Sequence, residues 1–333
     1  MRAVLLVGGF GTRLRPLTHY IPKPMLPVGH RPMIELVVAQ LALGGVTEVV
    51  LALGFRPEPF RAAFPDDVCA GVPLTYAVEP EPLDTAGAIR FAAEQAGIDE
   101  TFVVVNGDVL CDLDVSRLVQ FHRASGAEGT LHLTAVENPS AFGVVELDDN
   151  GSVRRFVEKP PPGTEQSNLI NAGTYVLEPS VIARIPAGRK VSIERETFPA
   201  MVLDHTLFGL ATDDYWMDTG QPPLYLRANL DVLDGHRRHL SCRAVAESAQ
   251  VGGDVRIEHS LVGEGATVGN RVTLRDSVLL PGARVGDDAV IESSIVAGTV
   301  GNSARLSDCV IGSDGRVAAA AVLVASRVPA PIA

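Results

Sequence analysis

The residues best suited to chemistry begin at the amino terminus, where Gly8, Gly9 and Gly11 are followed at once by Arg13 and, between two prolines, by Lys23. Glycines at this density let backbone amides turn toward one ligand and let it come close, because no Cβ intervenes. Two cations beside a ring of amide donors suit a triphosphate whose pyrophosphate departs with extra negative charge. Other glycine-rich motifs fail on spacing. A P-loop needs G-x-x-x-x-G-K-[ST], which is absent, and a dinucleotide fingerprint starting at Gly9 meets Leu14 where its last glycine belongs. A bare glycine cluster also makes tight turns, but the longer string GGFGTRLRPLT…PKPMLPV is far more specific.

Four further positions stand at the ends of apolar runs. Asp108 follows Phe102–Val105, Glu79 closes Leu74–Val78, and Glu158 with Lys159 ends Val153–Val157. Asp218 lies in the string YWMDTGQP. Taken singly, an Asp after a strand is usually a helix cap, and a Glu–Lys neighbour pair is a surface ion pair. An ionised carboxylate accepts on both oxygens, which would match the adjacent N1–H and N2–H₂ donors of guanine. Adenine or a pyrimidine would leave such a carboxylate facing lone pairs, a mismatch of several kcal/mol.

The elements that must position these groups are legible from periodicity. Short apolar runs at Ala3–Val7, Val49–Leu53, Leu74–Val78, Phe102–Val105, Thr130–Val136 and Val153–Val157 read as strands. Helical spacing over Met33–Leu43, Ala86–Ala96 and Val115–Ala124 alternates with the first of them, which predicts an α/β fold with a Rossmann-like, mainly parallel sheet. In such folds ligands gather at the carboxyl ends of strands. Past residue 245 the pattern changes. An aliphatic residue followed by Gly recurs at Val251, Val268, Val285 and Val300, in steps of 17, 17 and 15, and Val317 follows 17 later. Within a step, Val251, Ile257, Val262 and Val268 fall five or six apart, the mark of a hexapeptide-repeat parallel β-helix with Gly, Asn or Asp at its corners. About five coils fit. The expected domains are 1–240 and 245–328, and a rod with open ends favours a homo-oligomer.

Composition bounds the partners. Of 333 residues, 46% are hydrophobic and 20% charged, and the formal net charge is −12. That provides an ordinary globular core, and no Lys/Arg cluster to attract a nucleic acid, so phosphate falls to a few placed cations. Cys69, Cys111, Cys242 and Cys309 stand singly, without C-x-x-C spacing, and read as reduced, buried thiols. The opening MRAVLLVGG is too short for a membrane span and lacks a small-residue cleavage site, so it reads as a strand. No membrane partner is expected, and the expected location is cytoplasmic.

Together with EPLDTAGAI, NGDVLCD, FGVV, FVEKP, NAGTYVLEP and YWMDTGQP, the amino-terminal string resembles the sugar-1-phosphate nucleotidyltransferases, most nearly the mannose-1-phosphate guanylyltransferases. The likeness runs from residue 1 to about 235, and a left-handed hexapeptide tail is common among such proteins. The resemblance implies a nucleotide site at Leu6, Gly8, Gly9, Gly11, Thr12, Arg13, Glu79, Thr85 and Ala86. It implies a sugar-phosphate site at Gly143, Glu158, Lys159 and Asn171, and Mg²⁺ held by Asp108 and Asp218. Catalysis would then rest on Arg13, Lys23, Asp108, Lys159 and Asp218.

The implied reaction joins GTP and mannose 1-phosphate into GDP-mannose and pyrophosphate. The sugar phosphate is already ionised, so no general base is required, and none of His19, His30 or His122 receives a role. One departure from the family stands out. Asp84 occupies a position where relatives carry Gly; if that position needs φ > 0, Asp tolerates it better than most residues. A carboxylate close to a phosphate would repel it, so Asp84 either points at a hydroxyl or marks an altered substrate. Alternatives remain: another triphosphate or sugar 1-phosphate, a non-catalytic nucleotide-sugar sensor, or a second acyltransfer activity in the β-helix with His259 as its base.

Overall fold

The computed structural model describes residues 1–9, 11–54 and 57–330. The chain divides into two compact units: residues 1–9 with 34–216, and residues 11–33 with 217–330.

The first unit is built on a ten-stranded sheet. Its strands are β1 (Arg2–Leu6), β2 (Glu48–Leu53), β3 (Val68–Cys69), β4 (Val72–Val78), β5 (Phe102–Asn106), β6 (Gly129–Ala135), β7 (Gly143–Leu147), β8 (Val153–Glu158), β9 (Leu169–Leu177) and β10 (Leu207–Ala211). The order β8-β7-β9-β5-β1-β2-β4-β3 has β6 branching from β9 and β10 pairing with β6. The four strands predicted with intervening helices, β4-β2-β1-β5, are mutually parallel. The far side is different: β9 runs antiparallel to both β5 and β6, and β7 antiparallel to β8 and β9. That change follows the sequence, since short turns rather than helical crossovers join those later strands.

Burial explains why the parallel strands read as unbroken aliphatic runs. Ala3, Val4, Leu5, Val49, Val50 and Leu51 are all fully buried, as expected for strands covered on both faces. Helices α1 (Met33–Leu43), α2 (Asp84–Gln95) and α3 (Val115–Ser125) are the three predicted by periodicity. The last is closed at both ends. The Asp114 side chain accepts from the amides of Ser116 and Arg117, and Gly126 stops the helix at φ 63°. One core joins α2, the inner strands and α4 (Phe198–Leu203) around Ile89, Phe102, Tyr175 and Phe198.

The second unit combines residues 11–33, helix α5 (Pro222–Leu233) and the solenoid. Three parallel sheets of five strands each form the faces of a β-helix. Val251, Val268, Val285, Val300 and Val317 stack in register in one sheet, matching the repeat read from sequence. Val251 itself is 39% exposed because no earlier coil covers it, whereas Val268, Val285 and Val300 are buried. The 15-residue step is shortened at one corner. Residues 280–283 separate Leu279 from Arg284, but only 297–298 separate Val296 from Thr299. Gly is required there, since a Cβ on Gly298 would overlap the carbonyls of Gly312 and Gly315.

The corners are less selective than expected. The left-handed positions Arg271, Asp288, Ser303 and Ala320 recur in a column at φ between 55° and 61°, so neither Gly nor Asn/Asp is obligatory. Each of these amides donates to a carbonyl of the preceding coil, for example Arg271 to Gly253 and Ala320 to Asn302, which offsets the backbone cost. A buried column of side chains adds to the stack. The amides of Ser277, Ser294 and Cys309 donate in turn to the hydroxyls of Ser260, Ser277 and Ser294.

Candidate active site

In the second unit, the glycine loop and the Asp218 string form one cation-rich cluster. Gly11 turns at φ 59°, and a Cβ there would meet Thr18 Cγ2 at 3.1 Å and Lys23 Cβ at 3.2 Å. The Thr18 hydroxyl donates to Gly11 O at 2.7 Å and fixes the turn. Thr12, exposed, opens the 3-10 turn Thr12–Leu14 that carries Arg13. The Lys23 ammonium, only 4% exposed, lies 3.5 Å from Asp218 Oδ1. That oxygen also accepts from the Gly220 amide at 2.8 Å. A Cβ on Gly220 would meet Arg13 Nη2 at 2.6 Å and Asp218 Oδ1 at 2.8 Å, so guanidinium and carboxylate converge above bare backbone. Arg13 and Lys23 thus bring two cationic groups beside Asp218, a donor set suited to a phosphate chain.

In the first unit the glycines have separate reasons. A Cβ on Gly8 would meet Gly54 N at 3.0 Å, while that of Gly9 would point into open space. Leu6 ends β1, its carbonyl accepting from the Gly107 amide at 2.9 Å. Gly107 has no room for a Cβ, which would meet Val7 Cγ1 at 2.6 Å, and so the chain turns sharply into Asp108 at the carboxyl end of β5.

The turn after β4 is tightly organised. Glu79 is 7% exposed, and its Oε2 accepts from the Leu83 amide at 2.8 Å. Burial pushes its carboxyl above the usual range, the Leu83 hydrogen bond opposes this, and the nearby charge of Asp84 adds to the rise. Asp84 adopts φ 62°, a conformation that Asp tolerates better than most residues, and its Oδ1 accepts from the Thr85 amide at 2.8 Å. Thr85 and Ala86 engage a neighbouring strap rather than open space. Ala86 donates to Val191 O, the Ile193 amide donates to Thr85 Oγ1, and Thr85 Oγ1 donates to Glu194 Oε2 at 2.7 Å.

The predicted sugar residues lie on β7, on β9 and at the end of β8. Gly143 pairs opposite Glu158, and a Cβ there would meet Phe156 Cζ at 2.6 Å and Glu158 Oε2 at 3.0 Å. Lys159 turns at φ 49° and reaches back to Glu158 Oε1 at 3.6 Å while remaining 60% exposed. Asn171 accepts from the Gly173 amide and donates to the Tyr175 hydroxyl, each at 3.0 Å, across a bulge in β9. Burial raises the Glu158 carboxyl above its usual range and the charge of Glu194 adds to it, against the opposing pull of Lys159 and Arg195.

Glu194 and Tyr175 were not singled out by the sequence. Glu194 sits in a π-helical turn, Ile193–Thr197, whose Ser192 cap hydroxyl donates to Glu194 Oε2 at 2.7 Å. Such turns have no readable periodicity, and they recur at functional sites. The remaining candidate loses its case. His259 bridges Asp276 at 2.5 Å and Asp234 at 3.1 Å, and these hydrogen bonds raise its pKa. With both ring nitrogens held by carboxylates, none is left to face an acyl acceptor, so it serves as a clamp rather than as an acyltransfer base. Among the described residues, no group of three or more His, Cys, Asp or Glu could cage a metal, and no helix is long and apolar enough to cross a membrane.

Comparison with known proteins identifies the family. The nucleotidyl transferase family profile matches residues 2–235, and the GMPPB C-terminal domain profile matches residues 241–332. The mannose-1-phosphate guanyltransferase of Schizosaccharomyces pombe is 45% identical over 264 residues, covering 78% of this chain and 72% of its own. That of Candida albicans is 42% identical over 262 residues, with the same coverage. Among solved structures, HddC from Yersinia pseudotuberculosis is 28% identical with a TM-score of 0.59, covering 68% of this chain and 97% of its own. Its complex with GMP-PN matches with a TM-score of 0.58. With the family profile spanning most of the chain and such relatives aligned along it, the chain belongs to the nucleotidyl transferase family and is a nucleotidyltransferase.

Proposed function

We propose that the protein transfers a guanylyl group from GTP to mannose 1-phosphate, releasing pyrophosphate and forming GDP-mannose. The observation that carries the reading is the meeting of Arg13, Lys23 and Asp218 at the glycine loop, two cationic groups suited to a leaving pyrophosphate. The named activity of the relatives supports the choice of mannose and guanine, and so does Glu79. The Leu83 amide already bonds Glu79 Oε2, so the two oxygens are not both free as the sequence suggested. In this reading Oε1 and the remaining lone pair of Oε2 accept from the guanine donors.

Arg13 and Lys23 bind the triphosphate and hold the charge that develops as the α–β bond breaks. Glu158 and Asn171 orient the mannose hydroxyls, and Lys159 brings the sugar phosphate into line with the α-phosphate. No proton must be removed, so catalysis is alignment and charge neutralisation. Asp108 and Asp218 are the carboxylates assigned to Mg²⁺, and the donor set fits, since this ion takes one or two carboxylates and completes its shell with phosphate oxygens and water. When bound, the ion supplies Lewis-acid charge neutralisation at the phosphates. We also expect a cytoplasmic homo-oligomer with domains at 1–240 and 245–328.

The test is a panel of GTP, ATP, dTTP and UTP against mannose 1-phosphate and glucose 1-phosphate, read by pyrophosphate release with and without Mg²⁺. GTP with mannose 1-phosphate should give the highest kcat/KM. A clear preference for another pair would overturn the substrate assignment. Tight GDP-mannose binding without any turnover would replace the enzyme with a sensor.

A further inference from the structure

Residues 11–33 run beside the β-helix within the second unit. At one end of this segment Gly29 N donates to Asn229 Oδ1 at 3.1 Å, the Tyr225 hydroxyl donates to Pro27 O, and His30 Nε2 meets Arg243 O at 2.8 Å. Pro27 and His30 line a seam with the early corners Gly263 and Leu280–Pro281. At the other end the contacts are with the last coils. Arg327 Nη1 donates to Arg13 O at 3.0 Å and to Arg15 O at 2.9 Å. The Tyr20 hydroxyl bonds Asp314 Oδ2 at 3.3 Å, and a Cβ on Gly312 would meet Pro16 Cβ at 2.8 Å.

We infer that the final coil of the β-helix positions the phosphate-binding loop, with Arg327 as the residue that holds Arg13 in place. The 3-10 turn Thr12–Leu14 is a single turn, too short to be stabilised by helix cooperativity. The carbonyls of Arg13 and Arg15 flank it, and Arg327 supplies charged hydrogen bonds to both at once. A charge that must meet a phosphate oxygen tolerates little displacement, so loosening this turn is felt in rate before it is felt in stability. Arg327 belongs to the short strand Arg327–Val328, in register with Val310–Ile311, so its backbone is held by the sheet rather than by the loop it supports. The tail of the chain is therefore a working part of the nucleotide site, and its role rests on the proposed transferase reading only for the activity readout.

The test uses the full-length chain with Arg327→Ala, Arg327→Lys and Tyr20→Phe, and Arg316→Ala as control. Among the described residues Arg316 makes no hydrogen bond to residues 11–33. Arg327→Ala should lower kcat by about tenfold and raise the KM for the triphosphate, leaving the KM for the sugar phosphate unchanged. Amide exchange over residues 12–19 should accelerate while the thermal midpoint holds. Arg327→Lys should recover part of the loss, and Tyr20→Phe should show a smaller change in the same direction. Wild-type kinetics and unchanged exchange in Arg327→Ala, or a rate loss matched by loss of folded protein, would overturn the inference. If the wild-type chain turns over no triphosphate, the transferase reading fails, and exchange over 12–19 still decides the brace.

Discussion

Two regions of the molecule assigned to one reaction have different electrostatic character. At the glycine loop the Asp218 carboxylate meets Lys23 at 3.5 Å and shares the space above Gly220 with the Arg13 guanidinium. Around Glu158 burial and the charge of Glu194 outweigh the pull of Lys159 and Arg195, and the amide of Asn171 and the hydroxyl of the fully buried Tyr175 join the group. The first suits an anion that gains charge during reaction, and the second suits a neutral ring of hydroxyls. In the cation-rich cluster a lost charge should therefore cost turnover, whereas around Glu158 it should change recognition and pH dependence.

The largest expected effects break the charged frame itself. Asp108→Asn and Asp218→Asn should each lower kcat by at least about 10³-fold, as loss of a metal carboxylate does. Full activity in either would remove that residue from metal binding. Lys23→Ala should lower kcat/KM by about 10²-fold, because it withdraws a preorganised charge from the leaving group. A change confined to the KM of the sugar phosphate would reassign Lys23 to the other region. Next, Glu79→Gln should erode the preference for GTP over ATP by about tenfold or more, measured by competition, since Gln presents one acceptor and one donor. An unchanged ratio would transfer base choice to the backbone.

The smallest effect tests the surroundings of Glu158 by pH. Glu158 must be ionised to accept from sugar hydroxyls, and its carboxyl is raised, so activity should fall as pH drops through that raised value. Removing the Glu194 charge lowers the Glu158 pKa. Glu194→Gln should therefore shift the acid limb of kcat/KM to lower pH, with the basic limb unmoved. An acid limb that stays in place would mean that Glu194 acts only through its hydrogen bonds from Thr85 and Ser192.

Local signals carried much of this into the sequence, and non-local ones did not. The aliphatic runs of the four parallel strands are visible because both faces are buried, and the solenoid because every coil repeats the same demand. The left-handed backbone of Asp84 is likewise a local property, which its motif raised only as a condition and the structure supplies. Glu194 was not, because its importance comes from Thr85, 109 residues away, and from a π turn without periodicity. The antiparallel half of the sheet was also hidden, since β9 takes partners on both sides that no spacing in the chain reveals. Arg327 resembles any other arginine on a rung of the repeat until the carbonyls of Arg13 and Arg15 are seen beside it.

The two residues missing from the corner at 297–298 have a consequence for how this rod can evolve. Its flanking corners are the ones that border the nucleotide segment: Gly263 and Leu280–Pro281 beside Pro27 and His30, and Gly312 against Pro16. The short corner is thus a notch on the edge along which residues 16–27 travel. Repeat proteins ordinarily absorb insertions at their bends, yet at this bend Gly298 lies so close to the carbonyls of Gly312 and Gly315 that a side chain has no room. Laboratory insertions should therefore be tolerated at the other two edges of the prism sooner than at this one.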